Sequence, residues 1–127
     1  MTTPATRPCV LLVEDYRVAR EMYRLTLEHA GFHVVEAADG VEALLRVRET
    51  LPDLILMDLG MPLMDGWEAT RHLKSDSRTA GIPIVALSGQ TREGIAEATL
   101  RAGCVALVTK PCLSSDLVKK VRYCLSP

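Results

Sequence analysis

Short apolar runs alternate along the chain with longer segments in which apolar residues recur every three or four positions. The apolar runs predict five strands, at 9–13, 33–37, 54–58, 82–88 and 105–109. A short run bounded by turn-forming residues is typical of a strand buried on both faces of a sheet. The third run is unusual because it ends on a carboxylate, Asp58, ahead of Gly60 and Pro62. A buried charge at a strand end is costly unless the surroundings supply partners.

A segment with helical spacing follows each strand. These segments predict helices at 16–30, 39–50, 65–74, 91–102 and 114–125. Gly31 is placed to close the first helix in a left-handed conformation. Gly94 weakens the fourth, and Ser114 or Ser115 is the expected N-cap of the last.

The second and third helices begin with the same D-G-x-E pattern. Asp39 is followed three residues later by Glu42, and Asp65 by Glu68. This spacing is typical of a capping box, in which the first side chain accepts from the amide of the second residue. Both helix starts are therefore predicted at these aspartates.

Five strand–helix alternations predict an α/β fold, (βα)5, with a parallel sheet between two helical layers. Right-handed crossovers place helices on both faces. The mixed segment 33–37 suits an edge strand, and the strand order 2-1-3-4-5 satisfies this. Such a sheet binds ligands at the carboxyl ends of its strands, between strands 1 and 3.

Four of the predicted strands end in polar or charged residues. Strand 1 is followed by Glu14 and Asp15, strand 3 ends in Asp58, strand 4 in Ser88, and strand 5 is followed by Lys110. Crowded carboxylates repel one another, and a hard divalent cation such as Mg²⁺ removes the conflict. With an ammonium group and a hydroxyl nearby, these are the parts of a phosphoryl-transfer site with Asp58 as nucleophile.

Composition narrows the function classes. The chain has 127 residues, 48% of them hydrophobic, and a net charge of −1, so we expect one globular domain and no direct nucleic-acid or membrane partner. The start lacks a secretory signal and the apolar runs are too short to span a bilayer, which predicts a cytoplasmic location. The four cysteines contain no C-x-x-C pair and are predicted to be reduced thiols.

The motifs "LLVEDYRVAR", "LILMDLGMPLMDGWE", "IPIVALSG" and "VTKP" occur in this order. Together they resemble the receiver (REC) domain of two-component response regulators, of the single-domain CheY-like type. The resemblance covers about residues 9–125, leaving an N-terminal tail at 1–8 and a short C-terminal end at 126–127. It implies the flavodoxin-like, CheY-like three-layer fold.

The resemblance also implies a function in a phosphorelay. Asp58 would accept a phosphoryl group from a histidine kinase or a histidine phosphotransfer protein. Mg²⁺ would be held by Asp15, Asp58 and the backbone carbonyl of Gly60, with Glu14 acting through water. The domain would catalyse only its own phosphorylation and dephosphorylation.

The remaining implied roles concern strands 4 and 5. Ser88 and Lys110 would hold the phosphoryl oxygens, and a cis peptide would precede Pro111. Phosphorylation would switch partner binding through the face formed by helix 4, strand 5 and helix 5. Leu107 occupies a position where the family often has an aromatic residue, and Cys112 one where Phe is frequent.

The resemblance also implies where partners would bind and how water would reach the site. The kinase or phosphotransfer protein would dock near Val18 and Met22 on helix 1 and near the loop of Pro111 and Cys112. The switch would act on a downstream protein target. The chain is either a single-domain regulator, which we favour, or a fragment of a hybrid kinase or larger regulator, and it is expected as a monomer or a phosphorylation-dependent dimer. Gly60 and Gln90 would flank the path of the water that removes the phosphoryl group.

Two alternative functions are considered. A haloacid-dehalogenase-type phosphohydrolase also uses an aspartate and Mg²⁺, but it needs a D-x-D pattern after strand 1, where Asp15 is followed by Tyr16 and Arg17. A receiver fold kept as a phosphorylation-independent interaction module is the other alternative.

Taken singly, the candidate site residues also have simpler explanations. Glu14 and Asp15 could be an N-cap pair, and Lys110 could be a solvated charge.

Overall fold

The computed structural model describes residues 7–60, 65–89, 93–112 and 114–126. These residues form five strands and five helices in strict alternation. The strands are β1 (Cys9–Val13), β2 (His33–Ala37), β3 (Leu54–Asp58), β4 (Ile84–Ser88) and β5 (Ala106–Thr109). The helices are α1 (Arg17–His29), α2 (Gly40–Thr50), α3 (Gly66–Ser75), α4 (Ile95–Arg101) and α5 (Ser114–Leu125).

The strands form one parallel sheet in the order β2-β1-β3-β4-β5. The predicted (βα)5 architecture and strand order are therefore confirmed. Asp58 lies opposite Leu87, and Ser88 opposite Thr109, so β3, β4 and β5 end side by side. This register brings the polar strand ends to one edge of the sheet.

Two apolar clusters, one on each face of the sheet, explain why the central strands are apolar on both faces up to their carboxyl ends. Leu11 and Ile55 belong to the cluster that packs with α2 and α3, whereas Leu12 and Leu56 belong to the cluster that packs with α1 and α5. Successive residues of a strand point to opposite faces, so a strand covered on both sides alternates between the two clusters. Among the described residues, no helix has the length and apolar character needed to cross a membrane.

Both aspartates predicted to cap helices do so. Asp39 Oδ1 accepts from the Glu42 amide at 2.8 Å, and Asp65 Oδ1 accepts from the Glu68 amide at 2.8 Å. The Glu42 carboxylate in turn accepts from the amide of Ala38, the residue before the cap, at 2.7 Å. These contacts fix where α2 and α3 begin.

The last two strands, β4 and β5, are shorter than predicted. β4 begins at Ile84 instead of Ile82, since Pro83 has no N–H with which to continue the strand pairing. β5 begins at Ala106 instead of Val105.

The fourth and fifth helices also differ from the prediction. α4 begins at Ile95, because Gly94 has a φ of +83° and lies in the left-handed region, outside the helix. The predicted start at Thr91 lies outside the described residues. α5 already begins at Ser114, so both Ser114 and Ser115 lie in its first turn instead of preceding it.

Leu51 closes α2 in a left-handed conformation, with a φ of +45°. Its side chain is largely exposed and contributes little to the core. A left-handed residue with a Cβ is strained by about 1–2 kcal/mol, which glycine avoids.

We therefore expect Leu51→Gly to raise the free energy of unfolding by about 1 kcal/mol in urea denaturation. Leu45→Gly is the matched control, since Leu45 is an exposed leucine inside the same helix and its replacement should lower stability by about 1 kcal/mol. A loss of stability in Leu51→Gly similar to that of the control would contradict the assignment of strain to Leu51.

Candidate functional site

The carboxyl edge of the sheet gathers four of the predicted site residues. Glu14 follows β1, Asp58 ends β3, Ser88 ends β4 and Lys110 follows β5. Glu14, Asp58 and Ser88 are buried, at 1%, 5% and 2% exposure. The parallel topology thus brings together residues far apart in the sequence.

Three carboxylates form the centre of this edge. Glu14, Asp15 and Asp58 each offer an oxygen within 4.8 Å of the others. Asp15 is exposed, whereas the other two are buried. The cluster is therefore open to solvent on the side of Asp15.

Lys110 binds two of the three carboxylates. Its Nζ donates to Glu14 Oε1 at 2.6 Å and lies 3.3 Å from Asp58 Oδ2. The explanation of Lys110 as a solvated charge is therefore wrong, because the ammonium group lies between buried carboxylates. Charge-assisted contacts of this kind are among the stronger hydrogen bonds in proteins.

Burial and mutual contacts shift the pKa values of the charged side chains at this edge. Burial raises the pKa of Glu14 to about 7, the contact with Asp58 adds to this rise, and the hydrogen bond from Lys110 opposes it. For Lys110, burial lowers the pKa, but its contacts with Glu14 and Asp58 outweigh this and the net pKa is raised. The edge therefore concentrates negative charge that one lysine only partly compensates.

Backbone amides orient the two buried carboxylates. The Gly60 amide donates to Asp58 Oδ1 at 3.1 Å, and the Tyr16 amide donates to Glu14 Oε2 at 3.1 Å. The N-cap residue of α1 is Tyr16, in an extended conformation. The N-cap explanation for Glu14 and Asp15 is therefore wrong, since both precede the cap.

The ends of β4 and β5 are joined across the site. The Lys110 amide donates to the Ser88 carbonyl at 2.8 Å. The Lys110–Pro111 peptide bond is cis.

Leu107 lies within β5, partly buried against the apolar cluster that includes Ala86. Gln90 lies outside the described residues.

Two residues at this edge were missed by the sequence analysis. Arg20 Nη1 donates to the Glu14 carbonyl at 2.9 Å. Gly66 begins α3 so close to β3 that a Cβ there would lie against the Asp58 carbonyl oxygen and 2.7 Å from Leu59 Cα. The sequence carries one signal for each residue. Arg20 is a cation near the start of a helix, where the helix dipole disfavours positive charge, and Gly66 is the glycine of the second D-G-x-E pattern.

The donor set fits a magnesium ion. Mg²⁺ prefers hard oxygen ligands and is typically bound by one or two carboxylates together with waters. Glu14, Asp15 and Asp58 provide such oxygens close together, at an edge with an exposed side. These three residues and the Gly60 carbonyl are the groups that could hold it.

The comparisons with known proteins agree with this geometry. Residues 10–122 match the family model described as the response regulator receiver domain. This chain belongs to that family. The receiver domain is 36% identical over 102 residues to the polar-differentiation response regulator DivK of Brucella anthropi, which covers 80% of this chain and 83% of DivK.

Solved structures extend the likeness to the fold. The chemotaxis protein CheY4 of Vibrio cholerae superposes with a TM-score of 0.88 at 30% identity, covering 93% of the receiver domain and 98% of CheY4. The receiver domain of a sensor histidine kinase from Pseudomonas aeruginosa, described with a magnesium ion coordinated in its active site cleft, gives 0.86 at 30% identity, covering 94% and 98%. The predicted family and fold are confirmed.

Receiver domains are signalling domains that interact with histidine kinases and downstream targets, and phosphorylation and partner switching are typical of them. The predicted function as a two-component receiver domain is confirmed at this level.

Gly66→Ala tests how closely the backbone of Asp58 depends on α3. The added methyl group would meet main-chain atoms, which cannot rotate away, so we expect a loss of about 1–3 kcal/mol in the free energy of unfolding. Gly81→Ala is the matched control, because a Cβ at Gly81 meets nothing within 4 Å. Equal stability of the two variants in urea denaturation would contradict the close approach.

Proposed function

We propose that this receiver domain takes a phosphoryl group onto Asp58 from the phosphohistidine of a histidine kinase or phosphotransfer protein, and that the modification switches binding to a downstream protein. The single observation that carries the proposal is the cluster of Glu14, Asp15 and Asp58, with Lys110 in contact with Glu14 and Asp58. A lone aspartate at a strand end would have many explanations, whereas this joint placement has few.

Asp58 is suited to act as the nucleophile. Gly60 contacts one carboxylate oxygen and Lys110 the other, which limits rotation of the side chain. An Asp58 oxygen attacks phosphorus, the new O–P bond forms as the P–N bond of phosphohistidine breaks, and the histidine leaves with the electron pair of that bond. Holding the attacking atom in place lowers the entropic cost of the step.

Asp15, Asp58 and the Gly60 carbonyl would hold Mg²⁺, with Glu14 acting through water. When bound, the ion supplies positive charge that neutralises the phosphoryl oxygens. The clustered oxygens of this chain support the assignment, as does the magnesium described in the related Pseudomonas aeruginosa domain.

Lys110 and Ser88 would bind the oxygens of the transferred group. Lys110 is a compact cation, and Ser88 carries a hydroxyl that can donate. Movement of Ser88 towards the phosphoryl group would shift the segment after β4 and change the face formed by α4, β5 and α5. Since Leu107 has no aromatic ring, we propose that backbone displacement transmits this change.

The domain would also release the phosphoryl group. Water attacks phosphorus, the bond to the Asp58 oxygen breaks, and the carboxylate is restored with inorganic phosphate as product. Gly60 places no side chain beside Asp58 that would shield it from water. The domain thus catalyses only its own phosphorylation and dephosphorylation.

The phosphoryl donor would dock on α1 and the adjacent loop. Val18 and Met22 are exposed apolar residues one helical turn apart on α1. Pro111 is exposed beside Lys110, and Cys112 is partly buried. An exposed apolar pair next to a reactive site is typical of a partner contact.

Phosphorylation is tested by incubating the chain with acetyl phosphate and MgCl₂ and measuring its intact mass. We expect one added phosphoryl group, absent in Asp58→Asn and absent when EDTA is added. Asp65→Asn is the matched control and should remain phosphorylated, because asparagine also caps a helix. A wild-type chain that gains no phosphoryl group and binds no Mg²⁺ would favour the phosphorylation-independent interaction module.

Lys110→Met tests the contribution of the lysine to phosphorylation separately from Mg²⁺ binding. We expect phosphorylation by acetyl phosphate to slow by at least about tenfold, since a preorganised donor to the phosphoryl oxygens is removed. Mg²⁺ affinity, measured by calorimetry, should be no weaker, because a competing positive charge is lost. Lys119→Met is the control at an exposed lysine; a Lys110→Met variant phosphorylated at the control rate would contradict the assigned role.

A further inference from the structure

Arg20 reaches back from α1 to the loop that carries Glu14 and Asp15. Its Nη1 donates to the Glu14 carbonyl at 2.9 Å, and its Nε lies 3.5 Å from Glu36 Oε1 on β2. The guanidinium is thus held between a main-chain oxygen and a carboxylate. A planar donor group with several N–H bonds can serve both partners at once, which a lysine ammonium does less well.

Helix stability does not explain a cation at this position. The first turn of α1, which begins at Arg17, contains no acidic residue, and the side chain of the N-cap residue Tyr16 makes no capping hydrogen bond. Positive charge near a helix N-terminus opposes the helix dipole. The contacts with the loop and with Glu36 offset this cost, so the position serves something other than the helix.

The carbonyl that Arg20 binds belongs to the peptide unit joining Glu14 to Asp15. The Glu14 amide, on the other side of the residue, donates to the Ala37 carbonyl at 3.1 Å. The Glu14 carboxylate accepts from Lys110. Arg20 therefore adds the contact that fixes the peptide plane from which the exposed Asp15 side chain departs.

We propose that Arg20, supported by Glu36, is a positioning residue that holds this peptide so that Asp15 and Glu14 face Asp58 in the geometry that binds Mg²⁺. The inference rests on the proposed function of the site as a metal-dependent phosphoryl acceptor. Arg20 is assigned no contact with the metal or the phosphoryl group. Its effect is exerted through the main chain of Glu14.

A purely electrostatic role and a positioning role predict opposite changes in Mg²⁺ affinity for Arg20→Gln. If Arg20 acted only as a nearby positive charge, its removal would strengthen Mg²⁺ binding to the carboxylates. If it positions the loop, Arg20→Gln weakens binding, by about tenfold, as is usual when groups that orient metal ligands are lost. Arg20→Lys keeps the charge but loses the planar fork, so positioning predicts that it is weakened too.

Arg24→Gln is the matched control. Arg24 lies one turn further along α1 and also approaches Glu36, at 3.6 Å, but its hydrogen bond goes to Glu28, at 2.9 Å. Both glutamine variants lose an ion pair with Glu36, so a merely structural role would give them similar urea midpoints and unchanged Mg²⁺ affinity. Only the positioning role makes Arg20→Gln bind Mg²⁺ more weakly than Arg24→Gln.

The experiment measures Mg²⁺ affinity by calorimetry at fixed ionic strength for the wild type, the three arginine variants and Glu36→Gln. A metal-free readout is hydrogen exchange of the Tyr16 amide, which donates to Glu14. We expect weaker binding and faster Tyr16 exchange in both Arg20 variants, a smaller change of the same sign in Glu36→Gln, and wild-type values in Arg24→Gln.

Wild-type affinity in Arg20→Lys and Arg20→Gln, or tighter binding in Arg20→Gln, would overturn the inference while leaving the proposed function standing. Equal weakening in Arg24→Gln would also overturn it, because the effect would then belong to the helix as a whole. A wild-type chain that binds no Mg²⁺ and accepts no phosphoryl group would overturn both.

Discussion

The contact of one ammonium group with two buried carboxylates organises the carboxyl edge of this domain. Lys110 follows β5, Glu14 follows β1, and Asp58 ends β3, so the contact joins three strands that are distant in sequence. Without it, the edge would hold two buried carboxylates facing each other with no counter-charge, an arrangement that proteins avoid. The fold therefore concentrates negative charge there only because the strand order brings a cation alongside.

The sequence predicted the fold well because local and global signals agree. The apolar runs, the capping aspartates and the left-handed Gly31 all point to the same elements. The predictions failed where a backbone conformation decided the boundary. Periodicity continued through Gly94, and only its positive φ shows that α4 starts after it.

The candidate site was predictable to a similar depth. Residues at strand ends could be placed together because a parallel sheet aligns its carboxyl ends. The sequence could not assign Arg20 to the site. Its role depends on a side chain that folds back to the Glu14 carbonyl and on Glu36, which β2 places beside α1. Gly66 was visible as part of a capping pattern, but the closeness of α3 to the main chain of Asp58 is a tertiary property.

The close approach at Gly66 puts the start of α3 directly against the main chain at the end of β3. The start of the helix touches the main chain of Asp58 and Leu59 with no side chain between to absorb a displacement. A tilt of α3 towards the sheet would therefore displace the main chain of Asp58. A molecule bound to the outer surface of α3 would thus have a direct mechanical route to Asp58 that does not pass through the carboxyl edge of the sheet.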